Sequence, residues 1–201
     1  MKFFGLTGGA GMGKSTVADM LRDRGWRVVD TDQLARQVVA SGQPGLREIT
    51  AEFGASVLNA RGELRREALA RLVFSDPAAR RRLEALLHPR IRELWQAEAK
   101  RWQADGANQG VVVIPLLFET GAETELDATM CVACSAATQQ TRLRERGWSD
   151  EEIAARNRAH WPVEKKMARS TFVLWNEAGL DVLRAQLDRL ASTSAAKANL
   201  A

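Results

Sequence analysis

The sequence predicts an α/β fold in which a parallel sheet of about five strands is flanked by helices. Short apolar runs of strand length alternate with amphipathic helical patterns along the chain. The first run leads through a glycine-rich turn into a helix, and a long helical stretch separates the second run from the third. Alternation of this kind is typical of crossover units, whose strands are parallel.

The length and net charge of the chain limit the classes of protein to which it can belong. The 201 residues are enough for one α/β domain, and 29 Lys and Arg against 25 Asp and Glu give a net charge of +4. This mild excess favours small anionic ligands and does not argue for a nucleic-acid binder. No apolar run is long enough to span a membrane, and a strand pattern begins at once. We therefore expect a cytoplasmic protein. A monomer or a weak homo-oligomer is a separate expectation.

Residues 8–15 read GGAGMGKS and fit the pattern G-x-x-x-x-G-K-[ST]. A predicted strand over 2–7 precedes them, and a predicted helix over 15–24 follows. A flexible glycine-rich turn with an exposed lysine is the alternative interpretation. The strand before the pattern and the helix after it favour a loop that binds phosphate.

In that interpretation each part of the loop has a role. Lys14 would reach the β- and γ-phosphates of ATP, and the Ser15 hydroxyl would be a ligand of Mg²⁺. Backbone N–H groups and the positive end of the following helix would hold the phosphates. The residues predicted to bind ATP in this loop are Gly9, Ala10, Gly11, Met12, Gly13, Lys14, Ser15 and Thr16.

The second predicted strand, over 26–30, ends at Asp30, and a second aspartate, Asp32, follows two residues later. Thr31 is the expected N-cap of a short helix, and Asp32 lies in its first turn. Because ligands bind outside the carboxyl ends of parallel strands, Asp32 is a candidate for the reacting centre. Arg36 lies one turn later on the same face, so a helix cap with a surface ion pair is the alternative. The residues alone leave both interpretations open.

Residues 41–107 have an almost entirely helical and charged pattern, which predicts a helical insertion over the sheet. A long helical pattern starts at Asp76-Pro77 and continues beyond His88. Pro89 interrupts it, and we expect a kink or a break there.

Two further apolar runs are typical of central strands. The run over 111–114 ends in Pro-Leu-Leu-Phe-Glu at 115–119, which either lines a pocket or caps the core. The fourth strand, over 126–133, carries Cys131, and Cys134 follows it. A zinc site would need two more ligands and the histidines are far apart, so we interpret both cysteines as core residues.

A pair of arginine-rich helices follows in 137–169. Arg142 and Arg146 lie one turn apart on one helix face, which suits a lid that contacts the triphosphate of ATP. A solvated hairpin, with arginines paired to nearby glutamates, is the alternative. A fifth strand over 172–175 and a final amphipathic helix over 180–190 complete the pattern.

These motifs together resemble one family, dephospho-CoA kinase. The resemblance extends from Gly5 to about Asn176. It rests on the phosphate loop, Val29-Asp30-Thr31-Asp32 with Arg36, Phe53-Gly54, His88-Pro89, Pro115-Leu116-Leu117-Phe118-Glu119, and Gln140 with Arg142 and Arg146. This chain has His160 where the family usually has Gln, and Ser170-Thr171 where it usually has Ala-Asp.

The resemblance implies a P-loop NTPase-type fold and phosphorylation of the ribose 3′-hydroxyl of dephospho-CoA by ATP with Mg²⁺. The products would be coenzyme A and ADP, in the last step of coenzyme A biosynthesis. Asp32 would accept the hydroxyl proton, and Lys14 and Arg142 would stabilise the transferring group. The residues implied to hold dephospho-CoA are Asp32, Arg36, His88, Pro115, Leu116 and Leu117.

The pattern along the chain suggests how a single kinase domain would be divided. Its parts would be a core of 1–40, 108–136 and 170–191, an acceptor-binding insertion over 41–107, a lid over 137–169 and a flexible tail over 192–201. The alternative function is a P-loop kinase for another nucleoside or nucleotide. A GTP-binding switch is disfavoured, because the sequence has neither Asn-Lys-x-Asp nor Asp-x-x-Gly.

Overall fold

A computed structural model describes residues 1–196 of the chain. The chain forms two compact units: Met1–Val28 with the part after Arg101 is the first, and Val29–Arg101 is the second. In chain order the elements are β1 (Lys2–Gly8), α1 (Lys14–Asp23), β2 (Arg27–Asp30), α2 (Thr31–Val38), α3 (Pro44–Phe53), α4 (Arg66–Ser75), α5 (Pro77–Ala104), β3 (Gln109–Val113), β4 (Ala128–Ala133), α6 (Ala136–Glu145), α7 (Asp150–Ala159), α8 (Val163–Arg169), β5 (Phe172–Trp175) and α9 (Leu180–Ala196).

The strands form a five-stranded parallel sheet in the order β2-β3-β1-β4-β5. The central strand, β1, pairs in parallel with β3 and β4, so that Leu6 lies opposite Val113 on one side and Met130 on the other. Because the chain builds outward on both sides of β1, the crevice for a ligand lies at the carboxyl end of that strand. The predicted α/β fold with about five parallel strands is confirmed.

The hydrogen-bond ladder of the sheet continues past the ends of the strands. The Ile114 N–H donates to the Leu6 carbonyl at 2.9 Å, and the Asn176 N–H donates to the Ala133 carbonyl at 2.7 Å. The segments that follow β3 and β5 are therefore anchored at the carboxyl edge of the sheet.

The main core lies between the sheet and the helices α1 and α9. Its buried residues include Phe4, Leu6, Val17, Leu21, Trp26, Val111, Val113, Met130, Val132, Leu174, Leu183 and Leu187. The ring centroids of Phe4 and Trp26 lie 5.0 Å apart. The apolar runs that predicted the strands are the residues that fill this core, since strands buried on both faces need apolar side chains throughout.

The second unit has a helical core of its own. The buried residues of this core are Val38, Val39, Ile49, Val57 and Leu69. The long helix α5 continues through Pro89, so of the predicted kink or break the break is wrong and the kink stays a prediction. Arg82 pairs with Glu52 of α3 at 2.6 Å, and Arg90 binds Glu48 of the same helix through two nitrogens. The two ion pairs to α3 therefore lie on either side of the residue that lacks a backbone N–H.

One additional helix and one helix boundary differ from the sequence prediction. Helix α8 was not expected, because its buried residue is Lys166 rather than an apolar side chain that would show a helical period. Helix α9 continues through Ala196, past the predicted start of the tail at residue 192, and residues 197–201 lie outside the described part. The predicted limits of the core, insertion and lid remain predictions.

Both cysteines are buried and unpaired, as the sequence indicated. Burial raises the pKa of the Cys131 thiol to about 11 and also raises that of Cys134. Within residues 1–196, no group of three or more His, Cys, Asp or Glu side chains could hold a metal ion. No helix in that range is long and apolar enough to cross a membrane.

Candidate active site

The loop between β1 and α1 has the conformation of an anion receptor. Gly11 and Gly13 lie in the left-handed region with φ of 72° and 105°. Such turns place successive N–H groups around a concavity. Helix α1 begins at Lys14, and within residues 1–196 no side chain caps its N-terminus and no acidic residue lies in its first turn. The N–H groups at this helix end are therefore suited to an anionic ligand.

Lys14 is half-buried and folds back over the start of the same loop. Its Nζ donates to the carbonyls of Gly8 and Gly9, both at 2.9 Å. These bonds place an ammonium group directly in the phosphate loop. An incoming phosphate would meet this charge without a rearrangement of the backbone.

Two side-chain amides hold further carbonyls of the loop. Gln139 of α6 donates from Nε2 to Ala10 at 2.8 Å, and Asn176, after β5, donates from Nδ2 to Met12 at 2.9 Å. Each amide residue is only 5% exposed. Because these carbonyls are occupied by protein donors, the loop is held in one conformation before any ligand binds.

Two fixed positions of the loop require glycine. At Gly13, with its φ of 105°, a Cβ would overlap the side-chain amide of Asn176. At Gly8, a Cβ would overlap the backbone oxygen of Val132 on the neighbouring strand β4. The sequence pattern therefore reflects close packing of the loop as well as its backbone angles.

Ser15 and Thr16 lie in the first turn of α1, Ser15 exposed and Thr16 half-buried. No carboxylate cluster competes for a cation within the described residues. A hydroxyl beside a phosphate loop fits Mg²⁺, which takes most of its ligands from phosphate oxygens and water.

Arg142 of α6 joins the same region. Its Nη2 donates to the backbone carbonyl of Asn176 at 3.1 Å. Its Nη1 is buried and has no hydrogen-bond partner among the described residues. Arg146, which follows the last residue of α6, is exposed. The two arginines predicted to act together therefore have different surroundings.

Two other arginines of the α6–α7 hairpin have partners inside the hairpin. Arg144 binds Asp150 through Nε at 2.8 Å, and Arg156 lies 4.6 Å from the ring centroid of Trp148. Ser149 caps α7. These partners are an aspartate and a tryptophan rather than the glutamates of the solvated-hairpin alternative, whereas Arg142 contacts the segment that holds the phosphate loop.

The apolar segment 115–117, called here the acceptor loop, follows β3 at the carboxyl edge of the sheet. The Thr7 hydroxyl donates to the Pro115 carbonyl at 3.1 Å. Pro115 and Leu116 are half-buried, but Leu117 is fully buried and packs against Gly5. Pro115 and Leu116 are thus the members of this loop that a ligand could touch.

At the start of α2, the N-cap is Asp30 and not the predicted Thr31. Asp30 has an extended backbone, and its carboxylate accepts the Asp32 N–H at 2.8 Å, whereas Thr31 is buried. Asp32 is exposed in the first turn and Arg36 is exposed in the last. The alternative role of Asp32 as the cap of this helix is therefore wrong.

His88 is a half-buried residue of α5. Burial lowers the pKa of its imidazole, and the nearby Glu84 carboxylate partly offsets the shift. The ring is therefore neutral near pH 7. Like Asp32 and Arg36, His88 belongs to the second unit, and the roles of all three residues remain predictions.

Residues 2–181 match the protein family described as dephospho-CoA kinase. The chain belongs to the dephospho-CoA kinase family. A dephospho-CoA kinase from Anaeromyxobacter dehalogenans is 46% identical over 191 residues, which cover 94% of this chain and 90% of the relative. One from Bdellovibrio bacteriovorus is 40% identical over 190 residues, which cover 94% of each. A crystal structure from Thermus thermophilus covers 95% of this chain and 97% of its own at a TM-score of 0.81 and 41% identity.

Membership of the dephospho-CoA kinase family identifies the chain as a phosphotransferase of the final step in coenzyme A biosynthesis. One departure from the usual pattern of that family has a structural role here. Thr171, just before β5, exchanges hydrogen bonds with Thr129 of β4 at 3.0 and 3.1 Å. This exchange continues the pairing of the two strands at their amino ends, the opposite end of β5 from Asn176.

The other departure, His160, is half-buried just after α7. Burial is the main cause that lowers the pKa of its imidazole, and the charges of Lys166 and Lys14 lower it further against the opposing Glu119 carboxylate. A neutral imidazole therefore takes the place of the neutral amide that dephospho-CoA kinases usually have there.

Sequence reasoning missed Gln139 and Asn176 as functional residues. Asn176 had a usable signal, since a polar side chain directly after a parallel strand lies at the ligand edge of the sheet. Gln139 had none, because its bond to Ala10 depends on how α6 packs against the loop.

Proposed function

We propose that the chain transfers the γ-phosphoryl group of ATP to the ribose 3′-hydroxyl of dephospho-CoA. The bond between this oxygen and phosphorus forms as the bond from phosphorus to ADP breaks, and coenzyme A is the product. The observation that supports this most directly is the β1–α1 loop, where Lys14 lies on the carbonyls of Gly8 and Gly9 beside an uncapped helix end. That arrangement suits a triphosphate.

On the ATP side, the residues supply charge and position. The N–H groups of residues 9–16 and the Lys14 ammonium would hold the β- and γ-phosphates. Ser15 would hold Mg²⁺, which supplies positive charge at the oxygens of these phosphates. Arg142, whose Nη1 lacks a protein partner in the described residues, would donate to the transferring group, and exposed Arg146 would contact the triphosphate.

On the acceptor side, Asp32 would accept the proton of the attacking hydroxyl. Its exposure in the first turn of α2 and the separate cap at Asp30 support this role. Arg36, as a permanent cation, would bind a phosphate of dephospho-CoA. His88 is neutral, so it suits a hydroxyl or amide of the acceptor rather than a phosphate. Half-buried Pro115 and Leu116 would contact apolar parts of the acceptor, with Leu117 beneath them.

The proposal is tested by coupled measurement of ADP release with dephospho-CoA against a panel of nucleosides and nucleotides. We expect the highest kcat/KM for dephospho-CoA, an absolute need for Mg²⁺, and a product phosphorylated at the 3′-oxygen, checked by phosphorus NMR. Equal or faster turnover of a nucleoside would contradict the proposed acceptor and favour another P-loop kinase. ADP release without any acceptor sets the baseline for hydrolysis.

The cytoplasmic location and the monomer or weak homo-oligomer expected from the sequence remain proposals. Sedimentation equilibrium with and without dephospho-CoA measures the association state directly. A tight complex of several chains in both conditions would contradict the second proposal.

A further inference from the structure

A buried ion pair connects the acceptor loop with the segment that follows the α6–α7 hairpin. Lys166 of α8 is 1% exposed, and its Nζ lies 2.8 Å from Oε1 of Glu119. The same Nζ donates to the Pro115 carbonyl at 2.6 Å. One buried ammonium group therefore contacts the residue that begins the acceptor loop and a carboxylate just beyond its end.

The Pro115 carbonyl is held from two directions. It accepts from Lys166 of α8 and from the Thr7 hydroxyl of β1, the latter at 3.1 Å. A carbonyl oxygen has two lone pairs, and both are used here by protein donors. The backbone position of Pro115 is thus determined by α8 as well as by the sheet.

The Glu119 carboxylate extends the connection to the base of the hairpin. Its Oε1 also accepts the backbone N–H of Trp161 at 2.9 Å, and Trp161 lies two residues beyond the end of α7. The ring of Trp161 stacks on that of Phe118, with centroids 6.4 Å apart. The acceptor loop and the end of the hairpin therefore share one charged anchor.

Stability alone is a weak reason for a buried pair of this kind. Removing two charges from water costs about as much as their attraction returns, and apolar substitutes for both partners are often neutral or stabilising. A directional ammonium, however, fixes the atoms that it contacts in one arrangement. Lys166 contacts Pro115 and Glu119, which bracket the acceptor loop.

We propose that Lys166 and Glu119 are positioning residues that hold the acceptor loop in the conformation that binds dephospho-CoA. They also join this loop to the base of the α6–α7 hairpin. The inference rests on the proposed function, in which Pro115 and Leu116 contact the acceptor.

The test compares Lys166→Met with the double variant Lys166→Met/Glu119→Gln. The single variant leaves a buried carboxylate without its cation and should lose stability markedly. The double variant removes both charges but keeps an oxygen for the Trp161 N–H, so it should melt close to the parent temperature. We expect it to raise KM for dephospho-CoA roughly tenfold or more while KM for ATP changes less than about twofold, since only acceptor positioning is lost. Amide hydrogen exchange at residues 116–120 should become faster.

Lys100→Met is the control for the loss of a lysine, because Lys100 is an exposed lysine of α5. It should leave both KM values and the exchange rates unchanged. A double variant with parental stability, parental KM for dephospho-CoA and parental exchange would overturn the proposal. Leu116→Ala tests separately whether the loop contacts dephospho-CoA. An unchanged KM for dephospho-CoA in this variant refutes that contact. The exchange rates of the double variant still decide in that case whether Lys166 holds the loop.

Discussion

The junctions β1–α1 and β2–α2 share one plan, a parallel strand whose carboxyl end leads into a helix, but they differ in charge. At β1–α1 the first turn of the helix has no acidic residue and no side-chain cap within the described residues, and Lys14 supplies a cation. At β2–α2 the Asp30 carboxylate caps the helix, and Asp32 adds a second negative charge in the first turn.

This difference decides what each junction can bind. The first has a helix end with N–H groups and a positive charge, which attracts phosphate. At the second junction, the Asp30 carboxylate already accepts a hydrogen bond from the N–H groups of the helix end. The Asp32 carboxylate repels phosphate but can accept the proton of a hydroxyl. The identity of the capping residue, rather than the fold of the junction, separates the two proposed functions.

The largest effect is expected at β2–α2. Asp32→Asn keeps the size of the side chain and loses its charge, so phosphoryl transfer should fall by roughly 10²- to 10⁴-fold. ATP affinity, measured by calorimetry, should stay near the parent value. Asp30→Asn is the matched control for the helix cap, since Asn caps about as well as Asp and the melting temperature should change little. Near-normal transfer by Asp32→Asn would remove this residue from the mechanism.

The next effect concerns β1–α1. Lys14→Ala removes the cation that lies on Gly8 and Gly9, and kcat should fall by roughly 10²-fold or more. The exposed Lys100, changed to Ala in parallel, controls for the loss of a lysine elsewhere. Steady-state ADP release measures both. Normal turnover by Lys14→Ala would show that the β1–α1 junction is only a structural turn. It would contradict the proposed functional difference between this junction and β2–α2.

A smaller effect separates the two arginines beside β1–α1. Arg142→Ala should lower kcat by roughly tenfold to 10²-fold, because its guanidinium contacts the Asn176 segment that holds the phosphate loop. The Arg142 side chain is half-buried, so Arg142→Ala should also lower the melting temperature. Arg146 is exposed, so Arg146→Ala should leave the melting temperature unchanged. Equal losses of apo stability with normal turnover in both variants would support a hairpin without a role in transfer.

The smallest effect is a pH dependence that involves one histidine in each unit. The pKa values of His160 and His88 are both lowered by burial, so below the ordinary histidine pKa of about 6.5 the unfolded chain binds more protons than the folded chain. The free energy of unfolding should therefore fall as the pH is lowered from about 7 to 5. His160→Gln and His88→Gln should each flatten this slope in denaturant titrations. An unchanged slope in both would contradict the lowered pKa values.

Much of the β1–α1 junction could be predicted because its determinants are close together in sequence. The glycines, Lys14 and Ser15 lie within residues 8–15, and local backbone rules decide what such a segment can do. Ser149 at the start of α7 was predictable for the same reason. The continuous apolar run at 111–114 likewise predicted a buried parallel strand.

Sequence patterns could not decide which of two adjacent residues caps α2. Asp30 and Thr31 are both good caps, and the choice between them depends on where the strand ends and which side chain the core buries. Pro89 similarly does not break α5, and the helix is paired with α3 through Arg82 and Arg90 on either side of the proline.

The sequence by itself determined the fold class, the phosphate loop and the family, since each depends on short patterns or on their order along the chain. Only the tertiary structure decided that Asn176 and Gln139 hold the loop and that Lys166 is buried against Glu119. The two amides meet carbonyls 164 and 129 residues away in sequence, and such bonds form only after the sheet and helices have packed. A polar side chain carries no periodic signal of its burial, so its partner cannot be deduced before the fold supplies it.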